Sequence, residues 1–233
     1  VMHPQMLRGV RECVEMLRAA ASGSLVNYHG DVFEVSGYYP GWARDQAPLI
    51  YIGASKPKML ALAATVADGV MLSDVTLARM PETMLVLNDA LQQQGRDPQG
   101  FRISNLYSWH VKADAAAAMD EARRKLWVRG MLERWYISTF LNDEECALVE
   151  EKFDVFANAY INNTAEFPGV PEALANKLVR ELTFTGTPDD VDGFIDQLRA
   201  FKAAGLTEFG IRLYDQPEDS IKMIGERVLP ALR

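Results

Sequence analysis

A chain of 233 residues, 48% hydrophobic and 24% charged, has ordinary globular composition and is long enough to bury a substantial core. Its formal net charge of −8 repels a phosphate backbone and argues against general nucleic-acid binding; no run reaches the roughly 20 apolar residues of a membrane-spanning helix. Cys13 and Cys146 match no metal spacing and nothing marks an export route, so they read as idle thiols of a cytoplasmic chain, one disulfide being the alternative.

In chain order, Leu7, Val10, Val14, Leu17 and Leu25 recur near helical spacing, with Glu12, Glu15 and Arg18 on the other face, and predict a helix over Gln5–Ala21. The chain enters this helix almost at once, without a leading strand, which reads as entry into the middle of a fold. Residues 26–47, with Tyr28–Tyr38 and the punctuation of Pro40, Gly41 and Pro48, predict a short hairpin or an irregular excursion. The apolar run Pro48–Ala54 predicts a buried parallel strand, followed by a helix over Lys58–Ala67 and a second buried strand over Val70–Ser73. A helix over Pro81–Gln94, a third strand over Arg102–Val111 and a helix capped by Asp114 come next. Residues 130–183 read as a helical insertion without a clear strand. Thr187-Pro188-Asp189-Asp190 opens a helix that Gly205 closes, Glu208–Tyr214 is a fourth strand, and Pro217–Leu232 is the closing helix. Strands and helices alternating at these lengths imply an α/β fold with a parallel sheet, and a doubly wound sheet and a (β/α) barrel both satisfy the pattern.

Ligands in such folds collect at the C-terminal ends of strands. Four such ends carry polar chemistry here. Gly53-Ala54-Ser55-Lys56-Pro57-Lys58 pairs small residues and a hydroxyl with a helix N-terminus and two cations, which suits a phosphate; the plainer alternative is a tight turn with solvated lysines. Asp74 either serves a ligand or caps the next helix. On Arg102–Val111, either Asn105, Tyr107 and Trp109 or Ser104, Ser108 and His110 face inward, because side chains alternate. His110 reads as a satisfied structural histidine or as a proton donor. Arg212, alternating with Phe209, Ile211 and Leu213, needs an anionic partner, either a ligand or an internal acid. No nucleophile elbow, metal-binding histidine pair or paired-carboxylate set is present, so no metal is expected, and a bound cofactor would carry the hard chemistry.

Ile50–Leu60, Ala63-Ala64 and Ala67–Ser73, the segments Thr185–Val191, Ala204–Phe209 and Val228-Leu229-Pro230, and the opening helix with Tyr28–Phe33 together carry a family resemblance. They resemble the bacterial luciferase-like flavin and deazaflavin oxidoreductases, nearest the deazaflavin-dependent branch that includes methylenetetrahydromethanopterin reductase. The resemblance covers nearly the whole chain and is weakest over 130–183. It implies one luciferase-like domain over 1–233, a TIM-type barrel of which this chain holds strands five to eight and lacks the N-terminal strands. It implies FMN or a deazaflavin coenzyme at the strand ends. Gly53, Ala54, Ser55 and Lys58 would hold the cofactor, Tyr107 and Trp109 would wall the ring or substrate, and His110 and Arg212 would act in catalysis. The activity implied is a monooxygenase or reductase acting on a small organic substrate. A truncated, non-catalytic flavin-binding protein and a barrel enzyme for a phosphorylated metabolite are the alternatives. Open sheet edges on a partial barrel imply a homodimer.

Overall fold

The computed structural model describes residues 4–43, 47–127 and 131–233. Residues 44–46, at the far end of the 26–47 excursion, and Gly130, at the start of the 130–183 stretch, lie outside the described residues. The fold is α/β with parallel strands, as the alternating pattern requires, and it divides into two compact units, residues 1–71 with 83–103 and residues 72–82 with 104–233.

In the first unit, helix α1 (Pro4–Ala21) precedes an antiparallel hairpin of β1 (Val26–His29) and β2 (Glu34–Tyr38). Glu12 ties the two together. Its carboxylate accepts hydrogen bonds from the backbone N–H groups of Asp31, Val32 and Phe33 at 3.0, 2.8 and 2.9 Å. Burial pushes its pKa up, but the three N–H donors and Arg8 outweigh this and hold it below the usual carboxylate value. Strand β3 (Tyr51–Gly53) then runs parallel to β4 (Gly69–Ser73), Ile52 opposite Val70, with helix α2 (Pro57–Val66) as the crossover. Helix α3 (Met80–Gln93) follows, and its Leu87 and Leu91 are fully buried, as are Leu60, Ala63 and Ala64 of α2. Asp68 anchors the strand pair, accepting from the Ile50 N–H at 2.8 Å and from Arg18 at 2.9 Å. Only glycine fits at 69: a Cβ would lie 2.7 Å from the Arg102 carbonyl oxygen.

The predicted strand over Pro48–Ala54 shrinks to three residues, of which only Ile52 is buried. The reason is pairing. Among the described residues β3 is hydrogen-bonded to β4 alone, so the residues leading into it line an open apolar groove of about 640 Å³ with Leu17, Tyr38 and Trp42.

The second unit is organised by β5 (Arg102–Val111), whose bounds match the expectation. Its first half pairs in parallel with β7 (Glu208–Arg212), Ser104 opposite Glu208 through Ser108 opposite Arg212. Its second half pairs with β6 (Thr183–Gly186), Ser108 opposite Thr183 through Val111 opposite Gly186. Strand β6 corrects the expectation of no strand near 183; four residues are too few for alternation to show in sequence. Helix α4 (Ala115–Lys125) begins where expected, the Asp114 carboxylate accepting from the Ala117 N–H at 2.8 Å. Helices α5 (Arg134–Ile137), α6 (Asp143–Glu151), α7 (Phe153–Ile161) and α8 (Glu172–Leu182) fill the helical insertion.

Helix α9 (Val191–Ala203) starts one turn later than predicted. Asp190 bends back to accept from both the N–H and the hydroxyl of Thr187, which closes a 3-10 turn first. Gly205 ends the segment at φ +106°, a conformation glycine adopts without Cβ strain. The closing helix is broken into α10 (Glu218–Met223), a π turn at Ile224–Val228 and α11 (Leu229–Leu232), where Pro230 removes a backbone donor. The two cysteines are free, as expected. Among the described residues no closed barrel forms, and no helix is long and apolar enough to cross a membrane.

Candidate functional site

Each unit presents a candidate at a strand end. In the first, the β3–α2 turn has the build its sequence announced. Gly53 is exposed with open space where a Cβ would stand, and Ala54 is buried, its N–H donating to the Met71 carbonyl at 3.0 Å. Ser55 is half-buried, and Lys56 and Lys58 are exposed. The Lys56 side chain does not cap α2, and the positive end of the helix dipole lies beside two cations.

In the second unit, the end of β5, helix α4 and the loop after β7 assemble a polar cluster. Strand alternation sends Phe209, Ile211 and Leu213 into the hydrophobic core and leaves Arg212 and Tyr214 on the opposite face. The Tyr214 ring stacks on His110 with centroids 4.8 Å apart and planes 15° off parallel, and its hydroxyl lies 3.1 Å from Ser108 Oγ. The Arg212 guanidinium carbon sits 5.1 Å from the Tyr214 ring centroid. Among the described residues Arg212 has no carboxylate partner, so of the two partners its position allowed, the internal acid is absent.

His110 is 1% exposed and its Nδ1 lies 2.8 Å from Oε1 of Glu121, itself 2% exposed. Lys112 Nζ approaches Glu121 Oε2 at 2.8 Å, and the Asp215 N–H donates to the same oxygen at 3.1 Å. Lys112 also donates to the Asp215 carbonyl, and Arg124 pairs with the Asp215 carboxylate at 3.1 Å. Burial pushes the Glu121 pKa up, but the hydrogen bonds and charges of His110 and Lys112 prevail and hold it below the usual glutamate value. An ionised carboxylate only accepts, so His110 carries its proton on Nδ1.

The structure thus brings His110 and Arg212 together through Tyr214, and places Tyr107 and Trp109 elsewhere. Both lie on the opposite face of β5, 4% and 1% exposed, in an aromatic cluster with Phe184, Phe194, Phe201 and Phe209. The Tyr107 hydroxyl donates to the Glu181 carbonyl at 3.0 Å, and burial drives its pKa upward. The side chain nonetheless edges a cavity of about 310 Å³ lined by Thr76, Thr139, Arg180 and Gln197. The Trp109 indole N–H has no hydrogen-bond partner among the described residues. Asp74 is fully buried in left-handed conformation, φ +56°, and Asn105 clamps the next residue, Val75, through both its N–H and its carbonyl.

Sequence reading missed Glu121, Lys112 and Asp215. Glu121 left one trace: it falls with Ala118 and Ala122 on the buried face of α4, where a carboxylate needs partners. Those partners come from the end of β5 and from the loop after β7, and no local pattern names them together.

A family pattern described as luciferase-like monooxygenase matches residues 1–208. The 5,10-methylenetetrahydromethanopterin reductase of Archaeoglobus fulgidus is 29% identical over 236 residues, covering 97% of this chain and 67% of that protein. The enzyme of the same name from Methanolobus tindarius is 24% identical, with the same shares covered. Among solved structures, the coenzyme F420-dependent tetrahydromethanopterin reductase from Methanopyrus kandleri superimposes with a TM-score of 0.75 at 16% identity, over 97% of this chain and 64% of that one. An F420-dependent secondary alcohol dehydrogenase gives 0.71 at 20% identity, over 99% of this chain and 63% of that one. A monooxygenase from Streptomyces bottropensis gives 0.63 at 18% identity, over the whole of this chain and 64% of that one. The chain therefore spans about two thirds of the length of the relatives it matches. A pattern covering residues 1–208, together with parallel strands and α-helical crossovers, shows that the chain belongs to the luciferase-like monooxygenase family of oxidoreductases.

Proposed function

We propose that this chain forms the part of an oxidoreductase that binds a phosphate-bearing FMN or deazaflavin coenzyme and orients a small organic substrate beside it. The single observation that carries the reading is the exposed Arg212, seated on Tyr214, which in turn stacks on His110, at the C-terminal end of a parallel strand and lacking an internal acid among the described residues. A guanidinium so placed is a ready partner for a phosphate or carboxylate. The α2 N-terminus, with Ser55, Lys58 and the small residues Gly53 and Ala54, is the second anion-matched feature and fits the coenzyme phosphate. When bound, either coenzyme would supply the hydride or electron-pair chemistry of the reaction. The chain's own residues would hold the phosphate, hold Arg212 on the substrate or coenzyme anion, and keep the Nδ1 proton of His110 fixed by Glu121. Tyr107 and Trp109, buried in the aromatic cluster on the opposite face of β5 from Arg212, are left out of the proposed site.

The deazaflavin is favoured by the F420-dependent reductase and alcohol dehydrogenase among the superimposed structures. The accompanying fold reading is a TIM-type barrel to which this chain contributes strands five to eight, acting as a homodimer; the 0.75 superposition over 64% of a solved reductase supports the barrel. Fluorescence titration with FMN and with F420 tests the proposal: micromolar binding of one is expected, and binding of neither overturns it. Ser55→Asp, which puts a negative charge beside the assigned phosphate, should weaken that binding by about 100-fold. Retained affinity would remove Ser55 and its turn from the site.

A further inference from the structure

Arg212 reaches solvent lying on the ring of Tyr214, and that ring is held from behind. His110 stacks on it, and Ser108 meets its hydroxyl. The next residue, Asp215, is held by its N–H, its carbonyl and its carboxylate. Most of these restraints converge on one side chain. Glu121 accepts from His110, from Lys112 and from the Asp215 N–H, and Lys112 reaches on to the Asp215 carbonyl.

We propose that Glu121 is the positioning residue of an oxyanion-recognition site at Arg212, acting through His110, Lys112 and the Tyr214-Asp215 loop. It ties the end of β5 to the loop after β7, and so presents the guanidinium preformed to a ligand phosphate or carboxylate. A mobile arginine loses its rotamer freedom when it binds; one already seated on a fixed aromatic ring loses less, and affinity rises accordingly. The charge on Glu121 is what the geometry requires. Three donors point at its two oxygens, and a carboxylate offers only acceptors to them. A glutamine of the same size must turn an N–H toward one of those donors, so one of the restraints breaks while the packing volume stays. The ligand's identity rests on the coenzyme reading above; the mechanical linkage from Glu121 to Arg212 does not.

The test has two arms. Backbone hydrogen exchange of residues 212–216, without ligand, should quicken at least tenfold in Glu121→Gln, while the amides of α8 keep their protection. Unchanged exchange at 212–216 overturns the proposal. The second arm is a double-mutant cycle with Arg212→Met, read by titration with FMN and F420. Glu121→Gln should weaken binding about fivefold in the presence of Arg212 and cause no further loss in its absence. Equal losses in both backgrounds would mean that Glu121 serves general stability, and would overturn the positioning role. If the wild-type chain binds neither coenzyme, the coenzyme reading falls; the exchange arm still decides the linkage, and inorganic phosphate replaces the coenzyme in the cycle. Should Glu121→Gln fail to fold, Lys112→Met, at a partly exposed position, takes the same readouts with the same expected directions and smaller changes.

Discussion

The two faces of β5 use neighbouring residues of similar type for opposite purposes. Tyr107 and Trp109 enter an aromatic cluster with four phenylalanines, while Ser108 and His110, one residue over, meet Tyr214 and Glu121. The first face is held by area and shape, which are non-directional and forgiving of detail. The second is held by hydrogen bonds whose donors and acceptors must match one by one. A strand that alternates in this way lets the same backbone anchor the core and carry a charge network, and only the network leads to an exposed group, Arg212.

That contrast can be broken in order of size. Trp109→Ala empties the largest volume from the aromatic face and should cost about 3–5 kcal/mol in urea unfolding. A loss near 1 kcal/mol would mean that the cluster collapses onto the gap. His110→Ala, on the polar face, leaves the buried Glu121 short of a partner and removes the Tyr214 stack; about 2 kcal/mol is expected by the same measurement. A neutral result would show that Lys112 and Asp215 satisfy the carboxylate alone.

Arg212→Met should reverse the pattern, leaving the urea midpoint nearly unmoved and weakening the bound coenzyme or substrate anion about tenfold, as titration would report. A large stability loss with unchanged binding would reassign Arg212 to structure. The smallest effect is in acid. Glu121 has its pKa lowered on folding, so the stability it contributes is complete above the unfolded carboxylate value and is lost as pH falls through the lower, folded value. Melting curves of wild type and Glu121→Gln should therefore converge as pH drops below about 4, the ordinary glutamate range. Curves that stay parallel would show that Glu121 is already protonated in the folded chain.

The sequence by itself determined most of the alternation of strands and helices, because Pro48–Ala54 and Val70–Ser73 are short apolar runs and several helices begin or end at a local cap or breaker. Asp114, Thr187 with Asp190, and Gly205 are legible because caps and left-handed turns are local chemistry. The Gly53–Lys58 turn was legible for the same reason: all its ingredients are consecutive. Tertiary structure decided the rest. Both faces of β5 are buried; which of them enters the aromatic core depends on the phenylalanines of β6, α9 and β7 that pack on it, and no property of β5 alone ranks Tyr107 above His110. The cut in β3 to three residues depends on pairing with β4 alone among the described residues. Glu121 acquires its role only when the ends of two strands and a helix converge on it, because a buried carboxylate is defined by its partners, and these come both from the nearby end of β5 and from the distant loop after β7.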